Sequence, residues 1–394
     1  MSTSTSSGPS PLLTPPDSRG GGVVPVQTRS ERFASTAVED FPIVTGREAE
    51  WRLSPVPKLR PLMEESLDGS RYELDSPQVE GLHVAWVSAG EALRGVAGMS
   101  EDRLAANAWS QTQEVLTITI EGTHTEPLRF HRGHMGTGLR AAHTIIRLAQ
   151  GAQAALILSS TGDAALGENV EFDLGEESSL HAVFVGEWNS GAIHYGAHFA
   201  TLAKKAALTH IVVNLGGDIV ILNPSVHLVG EGSEAHLFGG YFADASQHLE
   251  HRVYVHHVGP STTSRVAYKG ALHGRGARTV WVGDVLIGAD AKGTDSYEQN
   301  RNLVLSEGTR ADSVPNLEIK TGDIKGAGHA SATGRFDDEQ LFYLQSRGIE
   351  ELEARRLVVL GFLIDIISKI EDPALVEELT TTVRAKLSAT EVAA

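Results

Sequence analysis

From about residue 115 onward, apolar and polar residues alternate in short runs that glycine and small polar residues separate. Such alternation is typical of half-buried β-strands, and sustained helical periodicity is absent until about residue 337. The runs predicted as strands are VLTITIEG (115–122), TIIRL (144–148), AALIL (154–158), HIVVNL (210–215), DIVIL (218–222), HRVYVHHV (251–258), VWVGDVLI (280–287) and NLVLS (302–306). The pattern therefore predicts a mainly β protein.

The strands belong to a repeat, in which an apolar residue precedes a polar turn, small residues and a new strand. The apolar positions that open successive units, at spacings of 26, 28 and 26 residues, are Leu148, Leu174, Leu202 and Leu228. Val258 and Leu305 continue the series at longer spacings. A period of this length predicts a β-solenoid, because a single coil cannot bury its inner face without a neighbour. A β-sandwich with regular turns is the alternative.

The texture of the chain changes at both ends of this β-region. The predicted division is a disordered tail over residues 1–37, a helical and loop-rich region over 38–114, a β-helix core over 115–335 and a helical subdomain over 336–394. The clearest early helical signals are GREAEWRLSP (46–55) and residues 100–114, where Ser100 is a plausible N-cap.

The C-terminal subdomain is predicted to contain three helices, over 338–347, about 350–370 and 373–389. Asp337 is a candidate N-cap, Gly348 suits a left-handed residue after the first helix, and Pro373 suits the first turn of the third. The stretch LVVLGFLIDII (357–367) is apolar on more than one helix face. Such a helix is either deeply buried or a docking surface.

Composition excludes several classes of function. The chain has 394 residues, a formal net charge of −17 and no cysteine. Disulfides, thiolate zinc sites and a self-contained cysteine-ligated cluster are therefore excluded, and the charge argues against a nucleic-acid partner. No apolar run is long enough to span a membrane, and the N-terminus does not resemble a signal peptide, so a cytoplasmic location is expected.

The 17 histidines raise the question of a metal site. The close pairs are His131/His134, His194/His198, His248/His251 and His256/His257. On strands, the second pair would share a face about 13 Å apart and the third would face opposite sides, so neither pair suits one ion. Surface or internally satisfied histidines are favoured. Walker A, GxSxG and GxGxxG motifs are absent from the sequence, and acidic pairs fall in turns.

One histidine has unusual neighbours. His329 lies in GAGHASATG (326–334), where every other residue is Gly, Ala, Ser or Thr. Tight packing of a glycine-rich final coil explains this composition without any function. The alternative is that small neighbours leave the imidazole accessible as an iron ligand or proton carrier.

Separate segments, in the same order along the chain, resemble the SufB/SufD family of iron–sulfur cluster assembly proteins. These segments are GREAEWRLSP (46–55), NRNLVLSEGTRADSVPNLEI (300–319), DIKGAGHASATGRFDDEQLFYLQSRGI (323–349) and EELEARRLVVLGF (350–362). Lacking cysteine, the chain is more similar to SufD-type than to SufB-type members. An apparent extra residue between Lys325 and His329 departs from some relatives.

The resemblance implies a right-handed parallel β-helix with helices at both ends. It implies a scaffold that is not an enzyme, has no intrinsic cofactor and contributes His329 to an iron or iron–sulfur cluster site shared with SufB. Flavin binding by the complex is left open. It also implies that C-terminal helices dock the SufC ATPase, with candidate contacts Phe342, Tyr343, Arg347, Gly348, Leu357 and Phe362. A polysaccharide-acting β-helix enzyme and a self-associating solenoid, including a homodimer of the isolated chain, are the other hypotheses.

Overall fold

In the computed structural model, which describes residues 32–335 and 338–389, successive strands alternate between two stacked sheets. Sheet A contains β1 (Leu82–Ser88), β2 (Glu114–Ile120), β4 (Leu139–Leu148), β6 (Ala165–Leu174), β8 (Ile193–Leu202), β10 (Ile219–Leu228), β12 (His248–His257), β14 (Arg278–Ile287) and β16 (Arg310–Ile319). Sheet B contains β3 (Leu128–Arg132), β5 (Gln153–Gly162), β7 (Ser179–Trp188), β9 (Ala207–Asn214), β11 (Glu234–Ala243), β13 (Thr263–Leu272), β15 (Thr294–Val304) and β17 (Ile324–Gly334). The chain is thus a parallel β-solenoid, as predicted.

The sequence repeat corresponds to a ladder of stacked residues along sheet A. In the strand register this ladder runs through Leu148, Leu174, Leu202, Leu228, His257, Ile287 and Ile319. The four leucines of the repeat are therefore confirmed as one ladder. The continuation through Val258 and Leu305 is wrong, because Val258 follows the ladder position by one residue and Leu305 follows β15 in sheet B. Later coils have longer turns, which moves the pattern out of step.

A second ladder lies in the turns that connect sheet A to sheet B. It is formed by residues with left-handed backbone, Gly151, Glu177, Lys205, Gly232, Ser261 and Gly293. Each of their amides donates a hydrogen bond to a carbonyl of the next coil, as from Gly151 to Glu176 and from Glu177 to Lys204. A left-handed residue is needed for the tight reversal, and stacking of the turns supplies the hydrogen bonds of polar groups that the strands leave unpaired.

Helices cover the outer faces of both sheets. The N-terminal region contains a 3-10 turn (Val38–Asp40), α1 (Val56–Glu64) and α2 (Arg103–Gln111), and α1 and α2 pack on sheet A. At the C-terminus, α3 (Asp338–Ser346) precedes α4 (Glu351–Ile367) and α5 (Pro373–Ala389), both of which pack on sheet B. The main apolar core fills the space between the sheets. None of the helices in the described ranges is long and apolar enough to cross a bilayer.

The N-terminal region differs in detail from the sequence prediction. Asp102, not Ser100, caps α2, and its carboxylate accepts hydrogen bonds from two amides of the first turn. Residues 46–55 form turns instead of a helix, and this segment buries Trp51 under Arg252 on sheet A. Of the predicted tail, residues 1–31 lie outside the described residues, whereas Arg32 is already packed on the solenoid and paired with acidic side chains.

The C-terminal helices agree with the prediction in number and position. Gly348 has a φ of +84°, the left-handed geometry expected of a residue that ends a helix. Pro373 opens α5, whose N-terminal amides are capped by the Asp372 carboxylate. The N-cap predicted at Asp337 falls outside the described residues.

Candidate functional site at the open end of the solenoid

The last coil of the solenoid is open on one side. β16 pairs with β14 and β17 pairs with β15, and neither strand pairs on its other edge within the described part of the chain. The residues of β17 range from half-buried to exposed, whereas strands in the middle of the stack are mostly buried. Unpaired amides and carbonyls along such an edge are able to pair with a further strand.

The inner face of sheet B changes in character as it approaches this end. One stacked column of inward-facing positions reads Leu128, Leu156, Ala182, His210, Leu237, Val266, Glu298 and His329. Apolar side chains dominate its first six positions, and the last two are a carboxyl and an imidazole. Polar groups on the inside of a solenoid need hydrogen-bond partners, so this end of the column is built differently from the rest.

A β-bulge gives His329 its place in that column. The register shifts between Thr294 and Asp295, which pair with Ile324 and Gly326, so that Lys325 is skipped. After the bulge His329 lies opposite Glu298. The extra residue seen in the sequence is therefore absorbed before the histidine, and the imidazole keeps the inward-facing side of the strand.

Glu298 is buried without a hydrogen-bond partner. Its side chain is only 1% exposed, and neither carboxyl oxygen accepts a hydrogen bond from the described residues. The carboxyl lies over Gly283, where even a Cβ atom would come within 2.4 Å of an oxygen. Burial, reinforced by the negative charge of Asp284, raises the pKa of Glu298 to about 8. The carboxyl is thus ionised less readily than an exposed glutamate.

His329 lies between this carboxyl and solvent. Its Nδ1 atom is 3.8 Å from Oε1 of Glu298, and 44% of the side chain is exposed. A half-exposed imidazole at an open strand edge can bind a metal through a ring nitrogen. In the described ranges, no group of three or more His, Asp or Glu side chains is arranged to hold a metal ion. His329 therefore offers one ligand of a site that needs others.

The predicted docking residues fall into two sets. Phe342, 72% exposed, and Tyr343 form an apolar patch on α3, and the Arg347 guanidinium lies 4.9 Å from the Tyr343 ring centre. Leu357 and Phe362 are half-buried on α4, where Lys269 lies 4.9 Å from the Phe362 ring. Gly348 is exposed at the end of α3.

Most of the apolar 357–367 segment packs within the chain. Its buried side chains, which lie against sheet B and α5, are Val359, Leu360, Leu363, Ile366 and Ile367. Intramolecular packing thus accounts for the main apolar stripe of α4. A role in docking remains a prediction for the exposed face of α3 and the half-buried residues of α4.

The interior histidines bind separate partners. His194 contacts the buried Glu168, while His198 and His210 share a hydrogen bond of 2.9 Å. His251 bonds to Asn214 inside the solenoid, and His248 lies on the other face of β12 beside Glu250. Each of these rings is explained by a neighbouring side chain without a metal.

Sequence reasoning missed Glu298. It lies in TDSYEQNRN, where inward-facing Ser, Glu and Asn alternate with outward-facing polar residues. A strand that is polar on both faces has no hydrophobic alternation, so the pattern that located the other strands carries no signal here. The signal that could have located the residue is its spacing of about one coil before His329.

Comparison with known proteins agrees with this architecture. The family model for the SUF system FeS cluster assembly, SufBD core domain, matches residues 131–362. The iron–sulfur cluster assembly SufBD family protein Rv1462 of Mycobacterium tuberculosis is 44% identical over 377 residues, covering 92% of this chain and 94% of the relative. The corresponding protein ML0594 of Mycobacterium leprae is 42% identical over 381 residues, covering 94% and 97%. Escherichia coli SufD is 27% identical over 263 residues, covering 65% and 62%. The chain therefore belongs to the SufBD family of iron–sulfur cluster assembly proteins.

Proposed function

We propose that this protein is the SufD-type scaffold subunit of an iron–sulfur cluster assembly complex, and that it acts without being an enzyme itself. In this proposal it pairs with a cysteine-bearing, SufB-like subunit and binds a SufC-like ATPase. His329 contributes an imidazole to the nascent cluster or its iron. The observation that carries the proposal is a half-exposed histidine on the inner face of an open final coil, in a chain without cysteine.

The open end supports pairing with another β-solenoid. The free edges of β16 and β17 present rows of backbone donors and acceptors, and the inner face between them is polar. A partner with the same fold could continue both sheets and bring its own side chains next to His329. Thiolates from that partner would complete a mixed nitrogen and sulfur site suited to iron.

The exposed face of α3 supports docking of the ATPase. Phe342 and Tyr343 are among the large apolar side chains that remain exposed, and both are aromatic. Aromatic residues of this kind are frequent anchors in protein interfaces. Nucleotide hydrolysis would take place in the partner and would move α3 and α4, which would open the paired end of the solenoid.

The competing hypotheses find less support. A polysaccharide-acting solenoid needs an open groove along a β-face, whereas helices cover the outer faces of both sheets. Self-association through β16 and β17 would use the same free edges, so a homodimer of the isolated chain is compatible with the scaffold role. Light scattering of the isolated chain, with and without the SufB-like partner, separates the two assemblies.

The test is co-purification with SufB-like and SufC-like partners, followed by iron and sulfide analysis. His329→Ala should leave the complex intact and lower its iron and sulfide content by about tenfold or more, since even changes beside a metal ligand cost about 10- to 100-fold in affinity. His124→Ala is the matched control, because His124 is a half-buried histidine before β3, away from the last coil. Unchanged iron and sulfide in the His329 variant would refute the role of this residue.

A further inference from the structure

The other buried carboxylates of the solenoid show what Glu298 lacks. Glu168 is bound by Arg132 and His194, Glu171 accepts hydrogen bonds from backbone amides and His143, and Glu250 is bound by Arg252, His248 and Ser54. Glu298 is as deeply buried and accepts no hydrogen bond from the described residues. A buried carboxyl without a partner costs free energy, so its retention calls for a function.

The fold already pairs glutamate with histidine across neighbouring coils. The distance between the nearest ring nitrogen and carboxyl oxygen is 2.5 Å for His194 and Glu168, and 2.8 Å for His143 and Glu171. These pairs lie where further coils stack on both sides. For His329 and Glu298 the corresponding distance is 3.8 Å, beyond hydrogen-bond length, at the coil that has no following neighbour.

The orientation of the His329 ring adds a second observation. Nδ1 is the ring nitrogen that faces Oε1 of Glu298. Nε2 is then the nitrogen available to a ligand on the exposed side of the ring. Histidines that bind metals generally donate their second ring N–H to a carboxylate, a carbonyl or water, which fixes the tautomer and the direction of the ring.

We propose that Glu298 is the positioning residue for His329: an oxygen of its carboxyl accepts a hydrogen bond from Nδ1–H and thereby presents Nε2 to iron. This inference rests on the proposed function, because it takes His329 as an iron ligand. Closing the gap requires a movement of about 1 Å, from 3.8 Å to hydrogen-bond length. Pairing of β17 with a partner strand would order the exposed final coil and allow that movement.

The test compares Glu298→Leu with Glu298→Gln in the complex with SufB-like and SufC-like partners. Glu298→Leu removes the acceptor, and iron binding in an anaerobic ferrous iron titration should weaken by about 10- to 100-fold. Glu298→Gln keeps an oxygen at the same place and should bind several-fold more tightly than the leucine variant. The urea unfolding midpoint of Glu298→Leu should equal or exceed that of the wild type, since an unpartnered polar group is lost. A purely structural role for Glu298 predicts a lower midpoint instead.

Two further measurements make the proposal falsifiable even if the leucine variant folds poorly. Nitrogen-15 NMR of the His329 ring in the isolated chain should show Nδ1 protonated in a larger fraction of wild-type rings than of Glu298→Gln rings. Iron binding by the double variant His329→Ala/Glu298→Leu should be no weaker than that of His329→Ala alone. Equal tautomer populations, an additive loss in the double variant, or wild-type iron affinity in Glu298→Leu would each overturn the positioning role.

The outcomes also separate this inference from the function on which it rests. Loss of iron in His329→Ala with none in Glu298→Leu would overturn only the role of Glu298. Unchanged iron in His329→Ala would overturn both.

Discussion

The middle of the solenoid and its last coil have the same strand register but opposite environments. Between β4 and β14, each inner position of sheet A has a coil above and below it, and helices cover much of the outer surface of both sheets. At β16 and β17 the stack stops, both strands have a free edge, and a buried carboxyl faces a half-exposed imidazole. Stacking makes one part a stable body, and its interruption makes the other a candidate binding surface.

The treatment of polar groups differs most between the two regions. In the middle, interior charges occur in fully bonded sets, such as Arg132 with Glu168 and Ser160. At the end, Glu298 has no hydrogen-bond partner among the described residues. Since unpaired buried groups are costly, the middle is built for stability and the end retains groups whose partners would come from another molecule.

The largest expected effect comes from breaking a charge pair in the closed region. Glu168→Gln removes the charge that both Arg132 and His194 face and leaves a buried guanidinium uncompensated. The free energy of unfolding should fall by about 3 to 5 kcal/mol. Asp312→Asn, which breaks the ion pairs with Arg278 and Arg310 on β16, is the matched change at the open end and should cost about 1 kcal/mol or less. Urea unfolding of both variants decides the comparison, and equal losses would contradict it.

A somewhat smaller contrast is expected along the apolar ladder of sheet A. Leu202 is fully buried in the middle of this ladder, whereas Ile319, its last member, is 42% exposed. Leu202→Ala should lower the free energy of unfolding by about 2 to 5 kcal/mol, because a cavity remains between two filled coils. Ile319→Ala should cost about 1 kcal/mol or less in the isolated chain, since solvent can fill the space. Thermal unfolding midpoints that shift equally would argue against an open last coil.

The smallest expected effect concerns acid. Burial lowers the pKa of His198 to about 4 and that of His251 to about 3, so the folded protein binds fewer protons than the unfolded chain below the usual histidine pKa of about 6.5. The stability that these neutral rings provide is complete above that value and is lost as the pH falls toward 4.

His251→Gln tests this expectation, since its side chain can still bond to Asn214. It should reduce the loss of unfolding free energy between pH 7 and pH 5 by about 1 to 2 kcal/mol. Ile319→Ala, which changes no titrating group, should keep the wild-type pH dependence. An identical pH dependence in the histidine variant would show that the buried ring is not what acid attacks.

Local patterns were enough to predict much of the fold. Alternation located most strands between 115 and 287, and the equal spacing of Leu148, Leu174, Leu202 and Leu228 revealed that they stack, because short coils of similar length keep a repeat in phase. Glycine and proline at positions 348 and 373 marked helix ends for the same local reasons. Where coils lengthen, from 26 residues between Ile193 and Ile219 to 32 between Arg278 and Arg310, the phase was lost and Val258 and Leu305 were misplaced.

The sequence by itself determined the solenoid, the terminal helices, the absence of any thiolate and the singular setting of His329. Only the tertiary structure decided that the apolar stripe of α4 covers sheet B, and that a bulge at Lys325 brings His329 opposite Glu298. The physical reason is the range of the forces involved. Strand alternation, turns and caps depend on residues a few positions apart, whereas the partners of a buried carboxyl or an apolar helix face depend on which distant coil lies next to them.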